Sequence, residues 1–228
     1  MQYVLPSWEL PSVAVEGSDS RFPVHRIYCV GRNYAEHARE MGGDPNREPP
    51  FFFCKPADAV VANGSTIPYP LATQSLHHEV ELVVALKSGG VHIKPEAALD
   101  LVFGYAVGVD LTRRDLQQAM REKGRPWDVG KAFDRAAPMG ALLPVSADFN
   151  VSQSAIVLTV NGEVKQSSDI GAMIWNVPDI IAHLSGLFEL KAGDLIFTGT
   201  PAGVGPLKPG DRVEATIGGL PALNFSIA

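Results

Sequence analysis

Glycine and proline recur so often along this chain that no apolar stretch continues for long, and this limits the folds that it can adopt. Of its 228 residues, 22 are glycine and 18 are proline. Both residue types end regular elements and favour turns. We therefore expect short strands separated by turns, with a few short helices. The fold class predicted from the residues is a β-dominated α+β domain and not a doubly wound sheet.

The chain length fits one large domain, and apolar residues make up 46% of the sequence, enough to bury a sizeable core. Residues 1–24 contain Pro6, Pro11 and Pro23 and a polar stretch around Gly17, so we expect an irregular N-terminal lead-in segment there. Residues 25–228 are expected to form a single domain.

Charge and cysteine content exclude several classes of protein. The formal net charge is −6, which argues against a nucleic-acid partner because such binding needs a basic stripe. The two cysteines, Cys29 and Cys54, lie in apolar or aromatic runs and are predicted to be buried free thiols. No secretory leader and no apolar run of membrane-spanning length is found, so we expect a cytoplasmic, soluble protein with no membrane partner.

Three acidic residues stand beside strongly apolar segments. Residues 76–86 are expected to form a strand, on which Glu79 and Glu81 share a face. Both acids could instead face water beyond the end of the sheet. Asp110 closes a second apolar run and favours a functional site. Three carboxylates without cysteine ligands predict a hard cation, Mg²⁺ or Mn²⁺ with Ca²⁺ as a further candidate, and leave positions open for a chelating substrate.

Several short motifs occur together along most of the chain, from residue 25 to residue 227. In this combination the chain resembles the fumarylacetoacetate hydrolase family, in its acylpyruvase or fumarylpyruvate hydrolase branch. The motifs include Cys29-Val30-Gly31-Arg32-Asn33-Tyr34 with His37 and Glu40, Lys55-Pro56, His78-Glu79-Val80-Glu81, Gly104-Tyr105 through Asp110-Leu111-Thr112, Gly130-Lys131, Phe133-Asp134, Val160-Asn161-Gly162 and Gly199-Thr200-Pro201.

The resemblance implies a catalytic domain with a mixed β-roll, a homodimer, and Mg²⁺ or Mn²⁺ as the metal. It also implies a role for each matching residue. These are Glu79, Glu81 and Asp110 as metal ligands, His37 and Glu40 as the pair that activates water, Lys131 as the active-site lysine, Gln117 and Arg114 as polar substrate contacts, and Thr200 near the substrate.

The residues themselves leave other roles open. His37 and Glu40 are three apart, so on a helix they share a face and can form a general base, or they can be an ordinary solvated pair. Glycines and a proline-rich stretch follow, and we expect residues 34–50 to act as a lid that orders on substrate.

The predicted substrate contacts also have ordinary alternatives. Lys131 could be a solvated loop lysine, and Gln117 a residue of a helix surface. Arg32 and Arg114 could bind substrate carboxylates or make structural salt bridges. Thr200 could bind a carboxylate, although glycine turns of this kind are more often structural.

The predicted reaction is metal-dependent hydrolysis of a carbon–carbon bond in acylpyruvates, small 2,4-diketo acids, with fumarylpyruvate cleaved to fumarate and pyruvate in aromatic catabolism. Oxaloacetate decarboxylation or tautomerisation through a pyruvate enolate is the alternative. Hydration or isomerisation of a 2-hydroxydienoate is a more distant one. A non-catalytic metal-bound binding module is a further class, and the presence of the His37–Glu40 pair and Lys131 argues against it, since a binding module needs no base.

Overall fold

The computed structural model describes residues 3–40, 49–145 and 149–228. Within these ranges the chain is mostly strand, and the α-helices are short. The strands are β1 Ser12–Val15, β2 Ser18–Pro23, β3 Arg26–Gly31, β4 Phe51–Lys55, β5 Val60–Val61, β6 Thr66–Ile67, β7 Leu76–His78, β8 Val80–Leu86, β9 Val102–Val109, β10 Thr112–Arg113, β11 Ala137–Pro138, β12 Leu143–Pro144, β13 Ala155–Val160, β14 Glu163–Asp169, β15 Asp194–Phe197, β16 Gly205–Leu207, β17 Arg212–Ile217 and β18 Leu223–Ile227.

The helices lie between strands along the chain. Residues 57–59, 99–101 and 170–172 form single 3₁₀ turns. The α-helices are α1 Ala35–Glu40, α2 Pro95–Ala98, α3 Arg114–Glu122, α4 Asp128–Lys131 and α5 Val177–Ser185.

Two mixed sheets form the body of the fold. The larger has the strand order β12-β9-β8-β15-β3-β4, in which β15 and β3 are parallel and the other neighbours antiparallel. The second has the order β14-β13-β17-β18-β6. Strands β13 and β17 contact β8 and β9, so the sheets share one core. Every residue of β8 is buried, as a strand covered on both faces requires.

The structure confirms the predicted β-dominated fold class, with short strands and a few short helices. The Asn161-Gly162 turn joins β13 to β14 with positive φ at both residues, 53° and 82°, as a two-residue hairpin turn requires. The predicted strand over residues 76–86 is broken at Glu79, which lies between β7 and β8. Helix α3 begins at Arg114, directly after β10.

The N-terminal segment differs from its prediction. Residues 12–23 form the antiparallel hairpin β1–β2, so the expectation of an irregular lead-in over residues 1–24 is wrong there. Val13 and Phe22 are buried in the core, and the Phe22 ring packs on Phe103 with centroids 5.1 Å apart. Burial of this apolar face outweighs the flanking prolines. The division at residue 24 stays a prediction.

Two further findings concern exposure. Cys29 is buried as predicted, whereas Cys54 is exposed on edge strand β4. Nowhere in the described ranges does a helix combine the length and apolarity needed to cross a membrane.

Candidate active site

The strand register brings the three predicted acids together. In the β8–β9 pair Val80 lies opposite Val109, so Glu79 and Asp110 flank the same end, and Asp110 N–H donates to the Glu79 carbonyl over 2.8 Å. Glu81 lies opposite Gly108 in the same strand pair. One carboxylate oxygen from each acid lies within 4.8 Å of the other two, and all three residues are buried.

This arrangement fits a divalent cation. Carboxylate oxygens are the donors that Mg²⁺, Mn²⁺ and Ca²⁺ prefer, and three protein ligands leave other coordination positions for water or substrate. The residues that could hold the ion are therefore Glu79, Glu81 and Asp110, as predicted. His78, which adjoins them, turns away and bonds Gln166.

Positive side chains surround the acids. Lys131 Nζ lies 2.8 Å from Glu79 Oε2, 2.6 Å from Asp110 Oδ2 and 2.6 Å from Thr112 Oγ1. Burial opposes the charge on Lys131, but Asp110 and then Glu79 outweigh it and raise the pKa of this lysine. Lys131 is 2% exposed, so it is not a solvated loop lysine.

Lys55 is a second buried lysine at the site, and its role was not predicted from the sequence. Its Nζ lies 2.7 Å from Asp110 Oδ1, and it donates to the backbone carbonyls of Lys131 over 2.5 Å and Leu111 over 3.1 Å. Lys55-Pro56 is one of the motifs that carry the resemblance, but Lys55 contacts residues more than fifty positions further along the chain. A sequence pattern gives no signal for contacts at that distance.

The pKa values of Glu79 and Glu81 are shifted in opposite directions. Burial raises the pKa of Glu81 well above its usual range, with further contributions from Asp110 and Glu79. Burial acts the same way on Glu79, yet the charges of Lys131 and Arg114 hold the pKa of Glu79 well below its usual range. Glu81 receives a backbone bond from Gly199 N–H at 2.7 Å.

Helix α3 supplies two of the predicted polar residues. Arg114 Nη2 bonds Glu79 Oε1, and Arg114 Nη1 donates to Gln117 Oε1 over 2.6 Å. Gln117 is buried and lines the pocket above the acids. Its oxygen is taken by Arg114, so its amide N–H groups can face the pocket. Gly130 of α4 packs against the Gln117 backbone, where a Cβ would lie 2.7 Å from Gln117 N.

The predicted His37–Glu40 pair lies on α1 at the same pocket. His37 Nδ1 is 3.2 Å from Glu40 Oε2, and Glu40 also accepts from Gly203 N–H. His37 is buried although its helix is short. Residues 41–48 of the predicted lid lie outside the described residues, so the lid stays a prediction.

Aromatic side chains form another wall of the pocket. The Phe51 and Trp127 rings meet edge to face with centroids 5.2 Å apart, and Phe53 lies 5.8 Å from Trp127. Arg32 stands 5.8 Å above the Phe51 ring and has a positive φ of 58°, a strained conformation that is frequent at functional sites. Thr200 and Arg121 also line the pocket.

The structure thus brings every predicted site residue to one place. The aromatic wall, Lys55 and Arg121 were not predicted. Arg121 is one helical turn beyond Gln117 on α3, so the helical period could have suggested it.

Comparison with known proteins agrees with this geometry. Residues 26–228 match the family model described as Fumarylacetoacetate (FAA) hydrolase C-terminal. A fumarylpyruvate hydrolase from a Ralstonia species is 42% identical over 81% of this chain and 95% of its own length. The human mitochondrial oxaloacetate tautomerase is 41% identical over 88% of this chain and 90% of its own.

A solved structure extends the agreement to the whole fold. The fumarylpyruvate hydrolase from Pseudomonas aeruginosa, in complex with Mn²⁺ and pyruvate, superposes with a TM-score of 0.97. It is 52% identical, and the match covers 100% of this chain and 99% of that chain. This chain belongs to the fumarylacetoacetate hydrolase family.

Proposed function

We propose that this protein hydrolyses a carbon–carbon bond in acylpyruvates, with fumarylpyruvate, cleaved to fumarate and pyruvate, as its main substrate. The observation that carries the proposal is one pocket lined both by Glu79 and Glu81 of the buried acidic triad and by His37, which is paired with Glu40. The similar Pseudomonas aeruginosa enzyme in complex with Mn²⁺ and pyruvate supports it.

Glu79, Glu81 and Asp110 would hold Mg²⁺ or Mn²⁺, and Ca²⁺ is a further candidate. The chemistry that such an ion supplies is Lewis-acid polarisation of the α-keto acid end and stabilisation of the enolate charge. The α-keto acid head then lies beside the triad, which directs the acyl end toward the aromatic wall.

His37 is the proposed general base. Glu40 accepts from His37 Nδ1 and fixes the tautomer, which leaves Nε2 to take a proton from water. The hydroxide adds to the acyl carbonyl carbon, and the bond from that carbon to the methylene group breaks. The electron pair moves into the enolate of pyruvate, and the proton held by His37 returns to the methylene carbon.

Gln117 and Lys131 are the proposed stabilisers of developing negative charge. Gln117 can donate an amide N–H to the oxyanion, because its oxygen is bonded to Arg114. All three donors of Lys131 bond protein oxygens. Lys131 therefore acts through its charge, or directly only after it releases one of these partners.

Arginines at the pocket favour a substrate with two carboxylates. Arg114 is bonded to Glu79 and Gln117, while Arg32 and Arg121 lie along the wall. Fumarylpyruvate carries a carboxylate at each end and a conjugated middle that suits Phe51 and Trp127. Thr200 is the proposed contact for the carboxylate of the keto acid head.

Oxaloacetate tautomerisation or decarboxylation is the second candidate. It also passes through a pyruvate-type enolate and needs the same head-group contacts. Relatives named as oxaloacetate tautomerases, including the human protein at 41% identity, favour it.

A substrate comparison tests the proposal. Fumarylpyruvate, acetylpyruvate and oxaloacetate are offered separately with Mn²⁺ or Mg²⁺, and loss of the diketone absorbance or formation of pyruvate is followed. We expect fastest turnover of fumarylpyruvate and complete loss with a chelator. Turnover of oxaloacetate alone would overturn hydrolysis and support the second candidate.

The role of His37 has a separate test. His37→Ala should lower kcat for fumarylpyruvate by about 10²–10⁴-fold, the usual contribution of a general base. Mn²⁺ affinity, measured by calorimetry, should not change, because the triad is intact. Glu36→Ala, at an exposed position of the same helix, serves as the matched control and should keep full activity. Near-full hydrolysis by His37→Ala would refute the base assignment.

We also propose a cytoplasmic homodimer, for which the sequence resemblance is the main support. Exposed apolar side chains near the N-terminus, among them Leu5, Trp8 and Leu10, offer a surface for a second copy. Light scattering after size exclusion should give twice the chain mass; a monomer at micromolar concentration would contradict the proposal.

A further inference from the structure

Gln166 joins strands β7 and β8 to the segment that follows β15 through a fully bonded side chain. It lies on β14 and is 1% exposed. Its Oε1 is 2.9 Å from His78 Nδ1 and 3.1 Å from Val80 N, and its Nε2 is 2.8 Å from Thr200 Oγ1 and 2.9 Å from the Pro201 carbonyl oxygen. All of the amide's bonding capacity at both ends is therefore used within the protein.

Backbone groups fix which end of the amide is which. Val80 N–H can only donate, so the Gln166 atom facing it is the oxygen. The Pro201 carbonyl can only accept, so the atom facing it is the nitrogen. An amide orientation is otherwise ambiguous, but these two partners settle it. His78 must then carry its proton on Nδ1, and the Thr200 hydroxyl must accept from Gln166.

The orientation of the Gln166 amide determines which hydrogen bonds the Thr200 hydroxyl can form. Its oxygen already accepts a hydrogen bond from Gln166, so its own proton points elsewhere. Across the part of the chain that the structure describes, no other hydrogen bond to Thr200 Oγ1 occurs. Thr200 is 3% exposed and lines the pocket, and its neighbour Gly199 bonds Glu81. The proton is thus available to a ligand that lies beside the acidic triad.

We propose that Gln166 is a positioning residue that makes the Thr200 hydroxyl a hydrogen-bond donor to a carboxylate oxygen of the substrate. This inference rests on the proposed function for the identity of the ligand, an α-keto acid. Gln166 touches no substrate itself and acts through Thr200.

Gln166→Glu tests the inference because it changes one end of the side chain. A glutamate at this position still accepts from His78 and Val80. At the other end a carboxylate oxygen replaces the NH₂ group, so Thr200 must turn its proton toward residue 166. We expect KM for fumarylpyruvate, and the Kd for pyruvate with Mn²⁺ present, to rise about tenfold, about one hydrogen bond to a charged group. The value of kcat should stay within about twofold.

A double-mutant cycle separates this mechanism from the effect of a buried negative charge. In a Thr200→Val background the hydroxyl is absent, so Gln166→Glu should change KM and the pyruvate Kd by less than about twofold. A tenfold rise that persists in that background would overturn the inference. Gln153→Glu, at an exposed loop position, adds the same charge and should leave both constants unchanged.

A measurement on the unaltered protein covers the case in which Gln166→Glu fails to fold. Nitrogen NMR of the imidazole, assigned by its loss in His78→Asn, should show His78 protonated at Nδ1 and not at Nε2. The opposite neutral tautomer would overturn the deduced polarity. If the protein binds pyruvate but hydrolyses no diketo acid, the proposed reaction fails, while the pyruvate Kd values still decide the role of Gln166.

Discussion

Buried charges of both signs meet at the centre of the site, and their formal sum is zero. Three carboxylates contribute −3 and three cationic groups +3. A divalent cation would bring the cluster to about +2 in this sum, which suits an anionic keto acid. The members are Glu79, Glu81, Asp110, Lys55, Lys131 and Arg114.

Lys55 offers a test of this balance at a single residue. Lys55→Met should lower the free energy of unfolding by about 3–5 kcal/mol, because it removes one of the two lysines paired with Asp110 and the donor to two buried carbonyls. Lys165→Met, which removes a surface lysine paired with Glu163 at 2.7 Å, should cost less than about 1 kcal/mol. Urea unfolding with chelator present compares them. Equal small losses would show that the Lys55 contacts contribute little.

Sequence patterns located the three acids but gave no role to Lys55 or Gln166. Glu79, Glu81 and Asp110 stand beside apolar runs, and an acidic residue next to an apolar run is visible in the sequence itself. Lys55 and Gln166 contact residues at least 55 and 34 positions away. Nothing local distinguishes a glutamine that bonds four groups from one that faces water, so only the fold reveals these roles.

At the scale of elements, the segment that follows β15 links several parts of the site. Thr198 bonds the Leu82 carbonyl, Gly199 bonds Glu81, and Gly203 bonds Glu40. Asn33 donates to the carbonyls of Thr198 and Trp175, which fixes the segment against the end of β3. This short segment therefore positions the candidate metal ligand Glu81, the His37–Glu40 pair and Thr200.

Gly199→Ala should disturb this stretch more than an ordinary glycine substitution. Gly199 has a φ of 96°, and a Cβ there would lie 2.7 Å from Asn33 Cβ. Gly210 has a φ of 91° with nothing within 4 Å of its Cβ position. Both alanine substitutions should lower the free energy of unfolding by about 1–2 kcal/mol, because an alanine is strained at a positive φ. Only Gly199→Ala should also weaken Mn²⁺ binding, measured by calorimetry. Equal Mn²⁺ affinity in both variants would contradict this role of the segment.

Most elements could be predicted, since their signals are local, as in the Asn161-Gly162 hairpin. The break at Glu79 could not, because it lies where the chain passes from the sheet β10-β7-β16 into the larger sheet, and the tertiary fold sets this change of partners. The β1–β2 hairpin was missed for a similar reason. Its strands are stabilised by Leu142, which bonds Ala14 and Glu16 across the domain.

At the scale of the molecule, the three acids lie on or directly beside the central strands β8 and β9, so metal binding is coupled to folding. An ion that binds only the folded chain should stabilise it by about 2.7 kcal/mol at a concentration 100 times its Kd. Thermal unfolding should show a higher Tm with Mn²⁺ than with chelator. The increase should vanish in Glu81→Gln and persist in Glu214→Gln, at an exposed position. An increase retained by Glu81→Gln would place the ion elsewhere.

The position of β15 has a consequence for how the protein is made. This strand comes late in the chain, yet it lies between β8 and β3 at the middle of the larger sheet. Until it leaves the ribosome, β3 and β8 have no strand between them, and both are almost entirely apolar. Pairings between distant segments form slowly and leave aggregation-prone edges exposed meanwhile. The nascent chain should therefore depend on chaperones until its last quarter has been synthesised.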